Sequence, residues 1–180
     1  MCTEILGIIF VIQQMLLSDN ADPVLVEEQL DEFIDLSKAI VQHSEEWEQD
    51  PLRMVAVGFQ ESRFGYRVEE FEVVSHSGAC GPFQQIPRYA RPYSEPVTCE
   101  ELFDPYEAAY RLGAKLNQME DRWGEGRLDE TICHYYEGNV CTEEEGHRYA
   151  RDHRGYYHRA QGYYLEFGSI TEEEFLEFKF

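Results

Sequence analysis

The stretch DPLRMVAVGFQESRFG, residues 50–65, decides how the chain is read. Asp50 followed by Pro51 is an N-cap and first-turn pair. Leu52, Val55, Ala56 and Phe59 then recur at helical spacing, and Gly65 closes the run. Glu61 and Ser62 therefore fall in the last turn of a helix that is otherwise buried. A carboxylate there meets the unpaired carbonyls at the negative end of the helix, and burial near Phe59 and Phe64 strips its water; both effects raise its pKa. A carboxyl raised in this way holds a proton near neutral pH and can give it to a leaving oxygen, as a general acid must. The plainer reading, one solvated acid among 36, stands beside it.

Working outward, the same start signal appears twice more. From Asp22-Pro23, the positions Val26, Leu30, Phe33, Ile34, Ser37, Ile40 and Val41 predict one long amphipathic helix running toward Trp47. Asp104-Pro105 opens a helix to about Trp123, with Ala108, Ala109, Leu112, Leu116 and Met119 as its buried face. Two more helices are expected near 128–136 and 147–164. Between about 66 and 100, Gly, Pro and Ser are dense and no period persists, which predicts loops or a short sheet. The N-terminal ILGIIFVIQQMLL has the look of a signal-sequence middle, but no Lys or Arg precedes it, it follows Glu4, and Gln13 and Gln14 interrupt it. It is also too short to span a bilayer. With no clear signal peptide, a packed helix is the expectation and a degenerate export or anchor segment the alternative.

With 180 residues, 43% of them hydrophobic, the chain can bury one sizeable core. Its 15 basic and 36 acidic residues leave a formal charge of -21, a field that repels nucleic acid and anionic lipid surfaces. Nucleic acid is therefore excluded as a partner. Of five cysteines, Cys80, Cys99, Cys133 and Cys141 are the disulfide candidates and Cys2 is left over; three connectivities are open. The group Cys133, His134, Cys141, His147 and His153 lacks the tight Cys-x2-4-Cys step of a structural zinc site, so no metal is expected. No cofactor is expected either. Disulfides would place the protein in an oxidising compartment.

Four motifs in order, QES at 60–62, SGACGPFQQIP at 77–87, LFDPYEAAYRLGAKL at 102–116 and CHYYEG at 133–138, resemble the catalytic domain of the SLT-type lytic transglycosylases. These are the peptidoglycan-cleaving branch of the lysozyme-like superfamily, and the resemblance covers about residues 48–164. It implies a mostly α, lysozyme-like domain over 48–166, with a small loop or β region lining the cleft. An N-terminal helical segment, 1–47, would pack on it, and 167–180 would form an acidic tail. The resemblance makes Glu61 the catalytic acid and Ser62 its positioning neighbour. It places Gly81, Gln84 and Gln85 in the cleft loop, where an amide can both donate to and accept from an N-acetyl group. Tyr135 becomes the tyrosine facing Glu61, with Tyr136 and Glu137 beside it on the substrate side, and Tyr156 a C-terminal tyrosine of the cleft. A Cys133–Cys141 link would pin the turn holding Tyr135, and a Cys80–Cys99 link would tie down the cleft loop.

The chain departs from the family where Ala-Tyr-Asn becomes His134-Tyr135-Tyr136 and where Pro82 and Phe83 replace an aliphatic pair. The implied chemistry is cleavage of the bond between N-acetylmuramic acid and N-acetylglucosamine, with Glu61 as acid and then base and a 1,6-anhydro product. Its partners would be the glycan strand and virion or cell-envelope proteins, and its place the periplasm, the envelope or a phage virion. Glu69, Glu70, Glu72 and Glu137 keep open a hydrolase with a second carboxylate. A wall-binding or virion structural protein that lost the chemistry is the other alternative.

Overall fold

A computed structural model describes residues 3–68, 71–92, 95–123, 128–137 and 144–168. It is mostly helical. The helices are α1 (Thr3–Ser18), α2 (Pro23–Glu28), α3 (Leu30–Glu46), α4 (Pro51–Ser62), α5 (Pro105–Trp123), α6 (Leu128–Glu137) and α7 (Glu144–Phe167). Among the described residues no strand forms; the loop region carries only the bridges Val74 to Cys80 and Cys80 to Gln85. The expected acidic tail beyond 168 lies outside the described residues.

The three Asp-Pro starts all cap helices. Asp22 and Asp50 accept from the amides of Val24 and Leu52, at 3.0 and 2.8 Å, and Asp104 accepts from those of Tyr106 and Glu107. The single helix expected over 22–47 is instead broken at Gln29 (φ -93°, ψ 13°). The side chain there explains the break: its amide donates to the Val68 carbonyl at 3.2 Å and accepts from the Arg67 amide at 3.0 Å. One residue thus turns the helix and holds the loop that follows α4.

Helix α4 is the hub. It packs on α1, α3, α5 and α7, so burial runs from Leu52 to Phe59 without a gap instead of following one stripe. Gly58 makes this closeness possible, since a Cβ there would meet the Phe64 ring at 2.9 Å and the Phe83 ring at 3.0 Å. Helix α1 is buried on every side through Ile8–Ile12 and packs on α3, α4 and α7. One continuous core runs from Ile8 to Ala160, so the N-terminal segment is part of it. No described helix is long and apolar enough to cross a membrane.

Candidate active site

The residues Gln60, Glu61 and Ser62 tie the end of α4 to α7 and to the loop around Pro82. Gln60 donates to the Tyr149 carbonyl on α7 at 3.0 Å. Glu61 accepts the hydroxyl of the same Tyr149 in a short hydrogen bond. Ser62 donates to the Pro82 carbonyl in the loop at 2.6 Å and accepts from the Gly65 amide at 3.0 Å. Ser62 is thus a staple between helix and loop, where the sequence suggested a contact to substrate.

Behind Glu61 the backbone turns sharply, with positive φ at Arg63 (55°), Phe64 (59°) and Gly65 (69°). Left-handed conformation at two non-glycine residues costs roughly 1–2 kcal/mol each. Packing and capping offset it: Phe64 is fully buried with its ring 5.8 Å from that of Phe59, and Arg63 donates to the Phe59 carbonyl at 2.6 Å. The Gly58 and Phe59 carbonyls are therefore engaged by Arg63, and the helix ends immediately beyond Glu61.

The loop from Ala79 to Ala90 packs against the end of α4, through Pro82 on Ser62 and Phe83 on Gly58. Cys80 and Gln85 exchange both backbone hydrogen bonds at 2.9 Å, and Cys80 is joined to Cys99 in a disulfide closing a separation of 19 residues. By the chain-entropy rule such a loop is worth about 3 kcal/mol. Gly81 (φ 75°) is required twice, by its conformation and because a Cβ would sit 2.0 Å from the Leu102 carbonyl oxygen. Gln84 spends its amide on the Val73 and Gly81 carbonyls at 3.2 and 2.9 Å. Gln85 is buried and donates to the Ala108 carbonyl on α5 at 2.8 Å. Both glutamines, expected to meet a sugar, use their amide nitrogens to hold the loop.

For Tyr135, on α6, the resemblance implies a hydroxyl that bonds Glu61 or the substrate. Its hydroxyl donates instead to the Phe83 carbonyl at 2.9 Å, so it too anchors the loop. It remains within the field of Glu61, and burial with that charge pushes its phenol well above the usual range. Tyr156 does not reach the site. Its ring packs on Phe59 at 5.0 Å, between the guanidinium groups of Arg63 and Arg159. The tyrosine that does reach Glu61 is Tyr149, two turns earlier on α7. The side chains of Tyr136 and Glu137, and all of Glu69, Glu70 and Cys141, lie outside the described residues. Cys133 is disulfide-bonded.

Sequence reasoning also missed Lys115. Its ammonium lies 3.7 Å above the Tyr135 ring and 3.5 Å from the Tyr135 carbonyl oxygen. A signal was present: Ala108, Leu112, Lys115 and Met119 share one face of α5, so a lysine interrupts a buried stripe.

Glu61 and Lys115 both keep some surface open to solvent, yet burial is the main influence on each. Desolvation raises Glu61 from 4.5 to about 7, against the Tyr149 hydrogen bond and the positive charge of Lys115, which both favour the carboxylate. Desolvation lowers Lys115 from 10.5 to about 8, against the attraction of Glu61. The arrangement is a carboxyl able to hold or release a proton near neutrality, beside a cation and a hydroxyl that stabilise its ionised form. No protein-family model matches the chain, and no curated protein matches it significantly.

Proposed function

We propose that the protein is a lytic transglycosylase with a lysozyme-like fold, cutting the β-1,4 bond between N-acetylmuramic acid and N-acetylglucosamine in peptidoglycan. The observation that carries this reading is the state of Glu61, a carboxyl with a pKa of about 7 at the end of the central helix. One group that must act as acid and then as base within a cycle works best when both of its forms are accessible at the working pH. Protonated Glu61 gives its proton to the glycosidic oxygen as that bond breaks and positive charge builds on the anomeric carbon, where the substrate's acetamido group stabilises it. Tyr149 and Lys115 favour the carboxylate left behind. Glu61 then takes the proton of the C6 hydroxyl, whose oxygen closes the 1,6-anhydro ring. No water is consumed and the enzyme returns to its starting state. Among the described residues the charged group whose field acts on Glu61 is Lys115 and not a second acid, which favours an internal nucleophile over a water activated by a paired carboxylate.

The Cys80–Cys99 disulfide supports action outside a reducing cytosol, in the periplasm or envelope or from a virion, with the glycan strand as partner. The test is digestion of purified cell walls followed by analysis of fragment ends. Anhydro ends are expected. Reducing ends would make it a hydrolase, and intact walls a binding protein. Glu61→Gln should lose about three or more orders of magnitude of cleavage while still binding walls. Turnover within about tenfold of the parent would remove Glu61 from the chemistry.

A further inference from the structure

A second concave site opens between α3 and the start of α5. The groove has a volume of about 750 Å³, and neither Glu61 nor its neighbours Tyr149 and Lys115 line it. Tyr106, which does line it, precedes Lys115 by nine residues, about two and a half turns, so the two project from opposite sides of α5. The walls are aromatic and mutually braced. The His43 ring meets Tyr106 edge-on at 6.4 Å and Tyr110 at 5.6 Å, and Tyr110 rests on Trp47 at 5.4 Å.

Four carboxylates also line the groove, and each is already engaged. Glu46 accepts from Nδ1 of His43 at 2.7 Å, and Glu107 from Nε of Arg111 at 2.6 Å. Glu101 accepts from the amide and hydroxyl of Thr98, and Asp104 caps α5. His43 and Arg111 are buried, their side chains 9% and 5% exposed. Yet Nε2 of the one and Nη2 of the other have no hydrogen-bond partner among the described residues, and neither atom is sealed from solvent. The same holds for the hydroxyls of Tyr106 and Tyr110. With the Nδ1 hydrogen given to Glu46, the neutral His43 ring presents Nε2 as a bare acceptor. Burial, with the charges of Glu95 and Glu46, raises the pKa of the Tyr110 phenol and keeps it a donor.

These groups choose among ligands. A cation would find every carboxylate taken and Arg111 beside it, and an anion would meet four acids. A sugar ring fits both parts of the groove: its hydroxyls give and accept hydrogen bonds, and its apolar C–H face packs on an aromatic side chain. We propose that this groove binds a neutral oligosaccharide, with half-exposed Tyr106 as the apolar platform and His43, Tyr110 and Arg111 bonding the sugar's hydroxyls. The site does not depend on Glu61 being a catalyst, since it holds a chain whether or not that chain is cut. Two sources supply this chemistry, N-acetylated sugars and plain hexose polymers.

The test is an NMR titration of the full-length protein with chitotetraose, with maltotetraose and, as a cationic ligand, with tetralysine. The readout is the assigned ring signals of His43 and the backbone amides of 106–111. One of the two sugars should move these signals with a Kd of about 1 mM or tighter, and that sugar identifies the source. Tyr106→Ala should weaken binding about tenfold or more and Tyr106→Phe by less, while Glu61→Gln should leave it unchanged. No movement with either sugar overturns the site and leaves glycan cleavage to its own test. Movement with tetralysine alone overturns the sugar in favour of a basic peptide. Parental affinity in Tyr106→Ala, or loss of binding in Glu61→Gln, overturns the assignment to this groove. If Tyr106→Ala fails to fold, the signals of the parent protein decide alone.

Discussion

At the scale of the residue, Glu61 is a balance of opposed influences, and each can be removed separately. The Tyr149 hydroxyl bonds the carboxylate and so lowers its pKa against a larger desolvation. Tyr149→Phe should therefore raise the pKa and move the alkaline limb of the pH–rate profile upward from about 7 by about one unit, the worth of a hydrogen bond to a charged group. Initial rates on soluble glycan fragments across pH would check this; a limb that stays in place would mean that the bond does not act on the reacting carboxyl. The same balance predicts a cost in stability. Between 4.5 and about 7 the unfolded chain has released this proton and the folded protein still holds it. Folding is therefore progressively opposed as pH rises through that window, by at most about 3 kcal/mol because the group keeps some contact with water. Glu61→Gln should melt several degrees higher than the parent near pH 8, with the gain fading toward 4.5. Equal melting temperatures at both ends would show that the carboxyl is not strained.

At the scale of the element, α4 presents its final turn to the site because its neighbours approach it so closely. Gly58 lies three residues before Glu61, and the space it leaves is filled by Phe64 and by Phe83 from the cleft loop. Both rings are fully buried, so neither has room to withdraw. Gly58→Ala gains helix propensity but forces one ring aside, for a net loss of about 1–3 kcal/mol by overpacking. Phe83 is also the residue whose carbonyl accepts from Tyr135. A shift there disturbs the loop that is bonded to Ser62 next to Glu61, so activity should fall along with stability. Thermal melts and wall-clearing rates on the same preparation would measure both, and a variant as stable and active as the parent would mean that the loop relaxes freely.

At the scale of the whole molecule, two buried groups shape the response to acid in opposite directions. His153, on α7, is fully buried with both ring nitrogens lacking a hydrogen-bond partner among the described residues. Burial, aided by the charge of Arg53, lowers its pKa from 6.5 to about 3. A base depressed in this way favours the folded state above 6.5 and withdraws that support as pH falls toward about 3, because the unfolded chain takes up the proton first. Glu61 does the reverse between about 7 and 4.5, and protonation of surface carboxylates relieves the repulsion of a -21 chain. His153→Leu removes two orphaned polar atoms along with the titration. It should raise stability at neutral pH and lower the acid-unfolding midpoint by on the order of one pH unit. Circular dichroism followed against pH tests it, and an unchanged midpoint would assign acid unfolding to other groups.

What the sequence determined by itself is what short-range physics settles. The Asp-Pro pairs at 22, 50 and 104 start helices because capping and the fixed φ of proline act within one turn, and the apolar spacing of α4 and α5 follows from helical geometry alone. These rules also suffice to place Glu61 in a last turn, beside aromatic side chains, with a raised pKa. The tertiary structure decided everything that depends on which distant groups meet. Tyr149 and not Tyr156 reaches Glu61 across 88 residues of chain, because the rotation and register of α7 on α4 are set by packing along their whole length. The break at Gln29 is invisible locally, since its reward is a pair of hydrogen bonds to a loop 38 and 39 residues away. Ser62, Gln84, Gln85 and Tyr135, which read from the sequence as groups for substrate, became the fastenings of the cleft loop. Polar groups carried into a folded interior must be paired, and the nearest partners were carbonyls that only folding brought within reach.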